Sequence, residues 1–118
     1  MIRKALAASL VIVPLLASHA AAALYGAIAY SESTGKYGYS YNFAYLSDAE
    51  ADAIAHCGAT DATVVAWCWN EYAALAVDDD GNYGYSSGES KEEAESTALS
   101  YCTGKNPRIL CWTYSGSD

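Results

Sequence analysis

Cations are scarce in this 118-residue chain: six Lys and Arg stand against fourteen Asp and Glu, a net charge of −8. No basic patch is available for a polyanion, and Coulomb repulsion makes nucleic acid and anionic lipid poor partners. Histidine is nearly lacking too. Beyond the N-terminal segment only His56 remains, so a Ser-His-Asp triad would rest on that one residue. Its place in the last turn of an expected helix is ordinary for a group near a helix C-terminus. Cys57 follows it directly, but neighbours on a helix point apart and cannot share a hydrogen bond. No glycine loop of the phosphate-cradling kind occurs. The four cysteines are separated by ten, thirty-three and eight residues, not by the two to four of a close zinc-binding pair. Asp78, Asp79 and Asp80 are consecutive, whereas an EF-hand loop alternates its ligands and ends on Glu. The expectation is no cofactor, no metal and no catalytic residue.

Long apolar runs are missing as well. The longest uncharged apolar stretch, "ALAASLVIVPLLA", has 13 residues, short of the roughly 20 that span a bilayer. It follows "MIRK" and precedes "SHAAAA", the three-part layout of a secretory signal peptide. Cleavage after Ala22 or Ala23 fits the small residues at −3 and −1. The expectation is a leader over 1–23, a single domain over 24–118, and a secreted or periplasmic protein with no stable membrane insertion after cleavage. Loss of Arg3 and Lys4 leaves four basic residues against fourteen acidic ones, a net −10. Such a surface favours cationic or neutral partners. In an exported chain this small, Cys57, Cys68, Cys102 and Cys111 read as two disulfides. Spacing does not choose among the three pairings. A pseudo-two-fold meeting of equivalent strands favours Cys68–Cys111 and, with it, Cys57–Cys102.

What is present in quantity is tyrosine, eleven residues of it, and a repeat. Tyr-Gly-Tyr-Ser begins at Tyr37 and again at Tyr83, 46 residues on. "YGAIAYSESTGKYGYSYNF" aligns with "YAALAVDDDGNYGYSSG", and "DAEADAIAHCG" with "EAESTALSYCTG". "VVAWCWNE" aligns with "RILCWTYS", placing Cys68 on Cys111 and Trp69 on Trp112. Each unit (24–71 and 72–118) reads strand, turn, strand, helix, strand and cannot bury its apolar face alone. Gly35 and Gly81 mark the hairpin turns. Ser47 with Glu50 and Ser90 with Glu93 have capping-box spacing, and Gly58 and Gly104 stand where left-handed caps belong. The fold class expected is α+β: two tandem strand-strand-helix-strand repeats sharing one mostly antiparallel six-stranded sheet, with two helices packed on it about a pseudo-two-fold axis.

Strict alternation puts Tyr37, Tyr39, Tyr41 and Phe43 on one face of their strand and Gly38, Ser40 and Asn42 on the other. Tyr83 with Tyr85, Trp67 with Trp69 and Trp112 with Tyr114 alternate likewise. The rings are either the core, facing Ala-rich helices, or an exposed platform for a sugar or protein, since two short helices cannot cover six strands. The Gly-Ser-Asn face reads as polar and lightly covered. A possible binding surface combines Asp78, Asp79 and Asp80 in the second turn with Tyr83 and Tyr85.

The stretches "YGAIAYSESTGKYGYSY" and "AALAVDDDGNYGYSSGESKEEAESTAL" resemble the bacterial domain of unknown function 4189 family, over essentially Leu24 to Ser115. The resemblance implies a small exported bacterial protein and a fold, and no assigned activity. Relatives commonly carry Cys before and just after the closing strand, at positions held here by Ala62 and Tyr72. The functional expectation is a non-catalytic binding or inhibitor-like module acting on a cationic or neutral envelope protein or glycan. A structural or stress-protective envelope protein is the alternative, and a small hydrolase is a third.

Overall fold

The computed structural model describes residues 23–116, so the expected leader lies, but for Ala23, outside the described residues. Strands β1 (Tyr25–Tyr30), β2 (Tyr37–Phe43) and β3 (Thr63–Trp69) form an antiparallel sheet in the order β2-β1-β3. Strands β4 (Glu71–Val77), β5 (Tyr83–Gly88) and β6 (Arg108–Ser115) form a second, in the order β5-β4-β6. The single six-stranded sheet expected from the sequence is therefore two three-stranded sheets. The reason lies in the central strands. Ile28 and Leu75 look into one apolar cluster, while Ala27, Ala29, Ala74 and Ala76 look into two others on the opposite faces. A strand apolar on both faces has to be covered on both, so the sheets stack and each takes a helix outside.

Between the sheets lie Ile28, Ala66, Cys68, Ala73, Leu75 and Cys111. Helix α1 (Leu46–Cys57) seals the first sheet with Ala49, Ala53 and Cys57. Helix α2 (Lys91–Ser100) seals the second with Ala94 and Ala98, and Cys102 lies just beyond its end. The result is four layers, α/β/β/α, with β2 over β6, β1 over β6 and β4, and β3 over β4 and β5.

The Tyr-Gly-Tyr-Ser motif is explained by this layering. Gly38 and Gly84 face the helices, not solvent. A Cβ at Gly38 would collide with the Ala53 carbonyl oxygen and the Cys57 nitrogen, and one at Gly84 with the Ala98 carbonyl oxygen. Glycine and alanine together let helix backbone lie directly on the strand. Ser40 follows on the same face and donates its hydroxyl to the Ala49 carbonyl at 2.6 Å. The Gly-Ser face is thus the covered one, and the tyrosines are displaced to the other.

Asn42, the residue after Tyr41, sits at φ 63° in a bulge: Ala27 pairs with Ser40, but Tyr25 pairs with Phe43. The bulge turns β2 onto the other sheet. The Asn42 N–H donates to Ser115 Oγ at 2.9 Å, Thr113 Oγ1 donates to the Ser40 carbonyl at 3.0 Å, and the Gly116 N–H donates to Asn42 Oδ1 at 3.2 Å. Those bonds close one side of the sandwich. They also satisfy outward-facing backbone groups of an edge strand.

Register corrects the alignment of the closing strands. Trp67 lies opposite Ala27 as Trp112 lies opposite Ala74, and Ala66 opposite Ile28 as Cys111 opposite Leu75. Cys68, opposite Gly26, corresponds to Thr113, opposite Ala73. The alignment placing Cys68 on Cys111 and Trp69 on Trp112 is two residues out, a slip that preserves the strand face and so leaves the alternation unchanged.

The caps are half as expected. Ser90 accepts from the Glu93 N–H at 3.1 Å, with Glu93 Oε1 accepting in return from Glu89 N–H at 2.9 Å. Helix α1 begins two residues earlier than the Ser47 box requires; its N-cap is Tyr45, without a side-chain bond. Gly58 is the left-handed cap at φ 73°, and Gly35 and Gly81 turn the hairpins at φ 77° and 89°. Gly104 does not cap α2, whose end is Tyr101. It lies against Asp78 and Asp80 instead.

Candidate binding groove

With the Gly-Ser face of β2 under α1, the alternate residues Tyr37, Tyr39 and Tyr41 project on the side of β6, and all three are exposed. They and Asn42 face Leu110, Trp112, Thr113 and Tyr114 across a groove of about 610 Å³. Tyr39 keeps 43% of its surface and Trp112 41%. Behind Trp112 the rings continue: Tyr72 lies 6.0 Å from Trp112 and 4.6 Å from Tyr114, centroid to centroid. Lys91 places its ammonium 4.7 Å from the Trp112 ring centroid and 3.9 Å from Glu95. On their other flank the same three tyrosines border a hollow of about 550 Å³ that includes Phe43, Asp52 and His56. There His56 Nε2 stands 3.4 Å from Asp52 Oδ2, one turn apart on the exposed face of α1. Of the two readings of the rings, the structure takes the exposed one for these residues: the fully buried side chains are Ala, Ile28, Leu75, Cys68 and serines.

The surface expected around the second turn is divided. Asp78 is buried and accepts from the N–H groups of Asp80, Asn82 and Gly104 and from Asn82 Nδ2, at 2.7–3.0 Å. It ties the β4–β5 turn to the segment after α2. Desolvation pushes its carboxyl up, but those four bonds outweigh it and hold the pKa below the ordinary range. Asp80 accepts from the Lys105 N–H, and Asp79 pairs with Arg108 at 2.8 Å. The rings turn elsewhere. Tyr83 stacks 6.4 Å from Tyr85 and 5.2 Å from Tyr30, and its hydroxyl donates to Glu32, which raises the phenol's pKa. The sequence missed the β2–β6 groove because its two walls come from opposite ends of the chain. The alternation of exposed rings was the available signal.

A carboxylate whose folded pKa is depressed stabilises the fold above its unfolded pKa, and that contribution is lost as pH falls through the folded value. Asp78→Ala should therefore melt below wild type at pH 7. The gap should narrow as acidification below about 4, the unfolded Asp value, protonates the wild-type group. Thermal melts at pH 7 and pH 3 test this, and a gap independent of pH contradicts it.

The two expected disulfides are not present. All four cysteines are buried, unbonded thiols. Cys57 lies under α1 and Cys102 at the end of α2, so both sheets separate them. Cys68 lies against Gly26 and Ser115, while Cys111 is four residues from Ser115 along β6. In register Cys68 corresponds to Thr113, two residues past Cys111, an offset that the sequence alignment concealed. Burial pushes the Cys111 thiol up to about 12 and raises Cys68 as well, so neither ionises near neutrality. A thiol-reactive chromophore should titrate none of these groups rapidly in the native protein and four after denaturation; a count of zero in denaturant would refute the assignment.

The class defined here is a small α/β/β/α sandwich bearing an exposed aromatic groove. The chain belongs to the family described as Domain of unknown function (DUF4189), which it matches over residues 25–113. It is similar to the NMR structure of Rv1813c from Mycobacterium tuberculosis, with 28% identity and a TM-score of 0.60, covering 77% of this chain and 74% of that one. No curated protein matches it. No described helix is long and apolar enough to cross a membrane.

Proposed function

We propose that this is an exported, non-catalytic binding module of the cell envelope or extracellular space, and that the β2–β6 groove holds a cationic protein partner. The carrying observation is the concentration of exposed rings, Tyr37, Tyr39, Tyr41 and Trp112, on a chain of net charge −8. Large rings left in water by a fold that had alanine and glycine to spare favour an interaction surface. Tyr and Trp give extensive contact at low entropic cost, and their faces attract ammonium and guanidinium groups. The leader sequence supports export. Matching strand orders and matching registers support a duplicated unit about a pseudo-two-fold axis.

The non-catalytic reading takes His56 and Asp52, one turn apart on the exposed face of α1, as a surface helix pair, and its neighbour Ser40 commits its hydroxyl to Ala49. The test is capture of basic proteins from envelope extract at low salt, followed by elution at moderate salt. An acidic binder should release its partner as ions screen the contact. Retention of neutral polysaccharide but no basic protein would defeat the cationic assignment.

A further inference from the structure

The two halves differ at one place in a way that points to a second seat. In the second half, Lys91, the first residue of α2, lays its ammonium over Trp112 beside Glu95. Helix positions correspond 45 residues apart, Ala49 with Ala94 and Ala53 with Ala98. Trp67 corresponds to Trp112 in register, and Tyr25 lies 6.3 Å from Trp67 as Tyr72 lies 6.0 Å from Trp112. Glu50 thus stands in the place of Glu95. In the place of Lys91 stands Leu46, the first residue of α1. The ring, the aromatic neighbour and the carboxylate are repeated, and the cation is not.

We infer that the exposed face of Trp67 is a seat for a lysine or arginine side chain of a cationic partner, the open counterpart of one the chain fills for itself at Trp112. Trp67 is 49% exposed. It borders a second groove, of about 330 Å³, with Val65, Tyr85, Ser86 and Glu71. A cation arriving there meets an indole face, Tyr85 and the Glu71 carboxylate, and the repeat sets Glu50 on α1 where Glu95 stands beside Lys91 on α2, the combination that favours ammonium and guanidinium over neutral ligands. The inference rests on the binding reading above and adds to it a site at the opposite edge of the sandwich, between β3 and β5. A partner with two basic segments could then engage both edges, with the gain in avidity that linkage brings.

The decisive variant is Leu46→Lys, which supplies the missing cation from within. The purified protein is titrated with octalysine, octaglutamate and a neutral N-acetylglucosamine hexamer, while NMR follows the indole N–H signals of Trp67 and Trp112. Octalysine should move the Trp67 signal and octaglutamate should not. Leu46→Lys should abolish the response, Leu46→Gln should retain it, and Glu50→Gln should weaken it several-fold. If Leu46→Lys does not fold, the Glu50→Gln response and the loss of the shift in moderate salt decide. Octalysine moving Trp112 but leaving Trp67 unchanged overturns this seat and spares the binding reading. No movement at either indole overturns both. Movement of Trp67 with the hexamer alone, or with protein concentration alone, assigns the face to a glycan or to a second copy and overturns the cation seat.

Discussion

Gly38→Ala should lower stability by about 3 kcal/mol, the upper part of the usual overpacking range, and the melting temperature by on the order of 10–20 °C. The added methyl would meet helix backbone, the Ala53 carbonyl oxygen and the Cys57 nitrogen, and backbone cannot rotate away as a side chain can. Relief requires lifting α1 off β2, which opens the cluster of Ala27, Ala29, Ala49, Ala53 and Cys57. Against a total of 5–15 kcal/mol for a typical domain, that is a large share. Gly88→Ala is the internal control. Its Cβ would meet Glu93 Oε1 at 3.0 Å, the far end of a flexible side chain, and helix backbone only at the Ala94 nitrogen, 3.1 Å away, farther than at Gly38, so the loss should be smaller. Chemical denaturation of the two variants measures the difference. Equal stabilities would contradict direct helix-on-glycine packing.

Tyr39→Ala and Trp112→Ala should each weaken capture of a basic partner by about 30-fold or more, which corresponds to the 2 kcal/mol or greater of an aromatic hot spot. Neither should move the melting temperature far. Both rings keep two fifths or more of their surface in water, whereas truncating a buried ring costs about 3–5 kcal/mol. Trp112→Ala also frees Lys91 from its ring, adding a cation to the groove and repelling a basic partner further. Binding measured at low salt beside a thermal melt separates the outcomes. A large fall in melting temperature without loss of affinity would return these rings to the core.

Much of the architecture was legible in the chain. The alternation in "YGYSY" fixed which residues share a face up to Tyr41, but the bulge at Asn42 then carries Phe43 away from the tyrosines to the cluster under α1. The Ala stripes fixed the inner faces of both helices, and Gly35 and Gly81 fixed the hairpin turns. These are local properties with periods of 2 and 3.6 residues, and backbone geometry enforces them wherever the segment lies. Which face of β2 is covered was not local. Glycine and serine looked like the solvent side because they are small and polar, yet small residues are what a closely packed helix needs opposite its own alanines. Asp78 looked like a solvated turn residue for the same reason. Its partner Gly104 is 26 residues away, and only the folded chain brings the two loops together.

By itself the sequence determined the elements, their order and the pairing of each central strand with its hairpin partner. It also set the acidic balance that restricts partners. Tertiary structure decided that six strands divide into two stacked sheets, because β1 and β4 are apolar on both faces and each face has to find cover. It decided the thiol geometry, since a two-residue shift in strand register is invisible to a pattern of period two. It decided the groove too: β2 and β6 meet only when Asn42 bends the strand onto Ser115. The tyrosines of β2 turn there because α1 has taken the other face of their strand, while Trp112 reaches the same edge from the α2 side of β6.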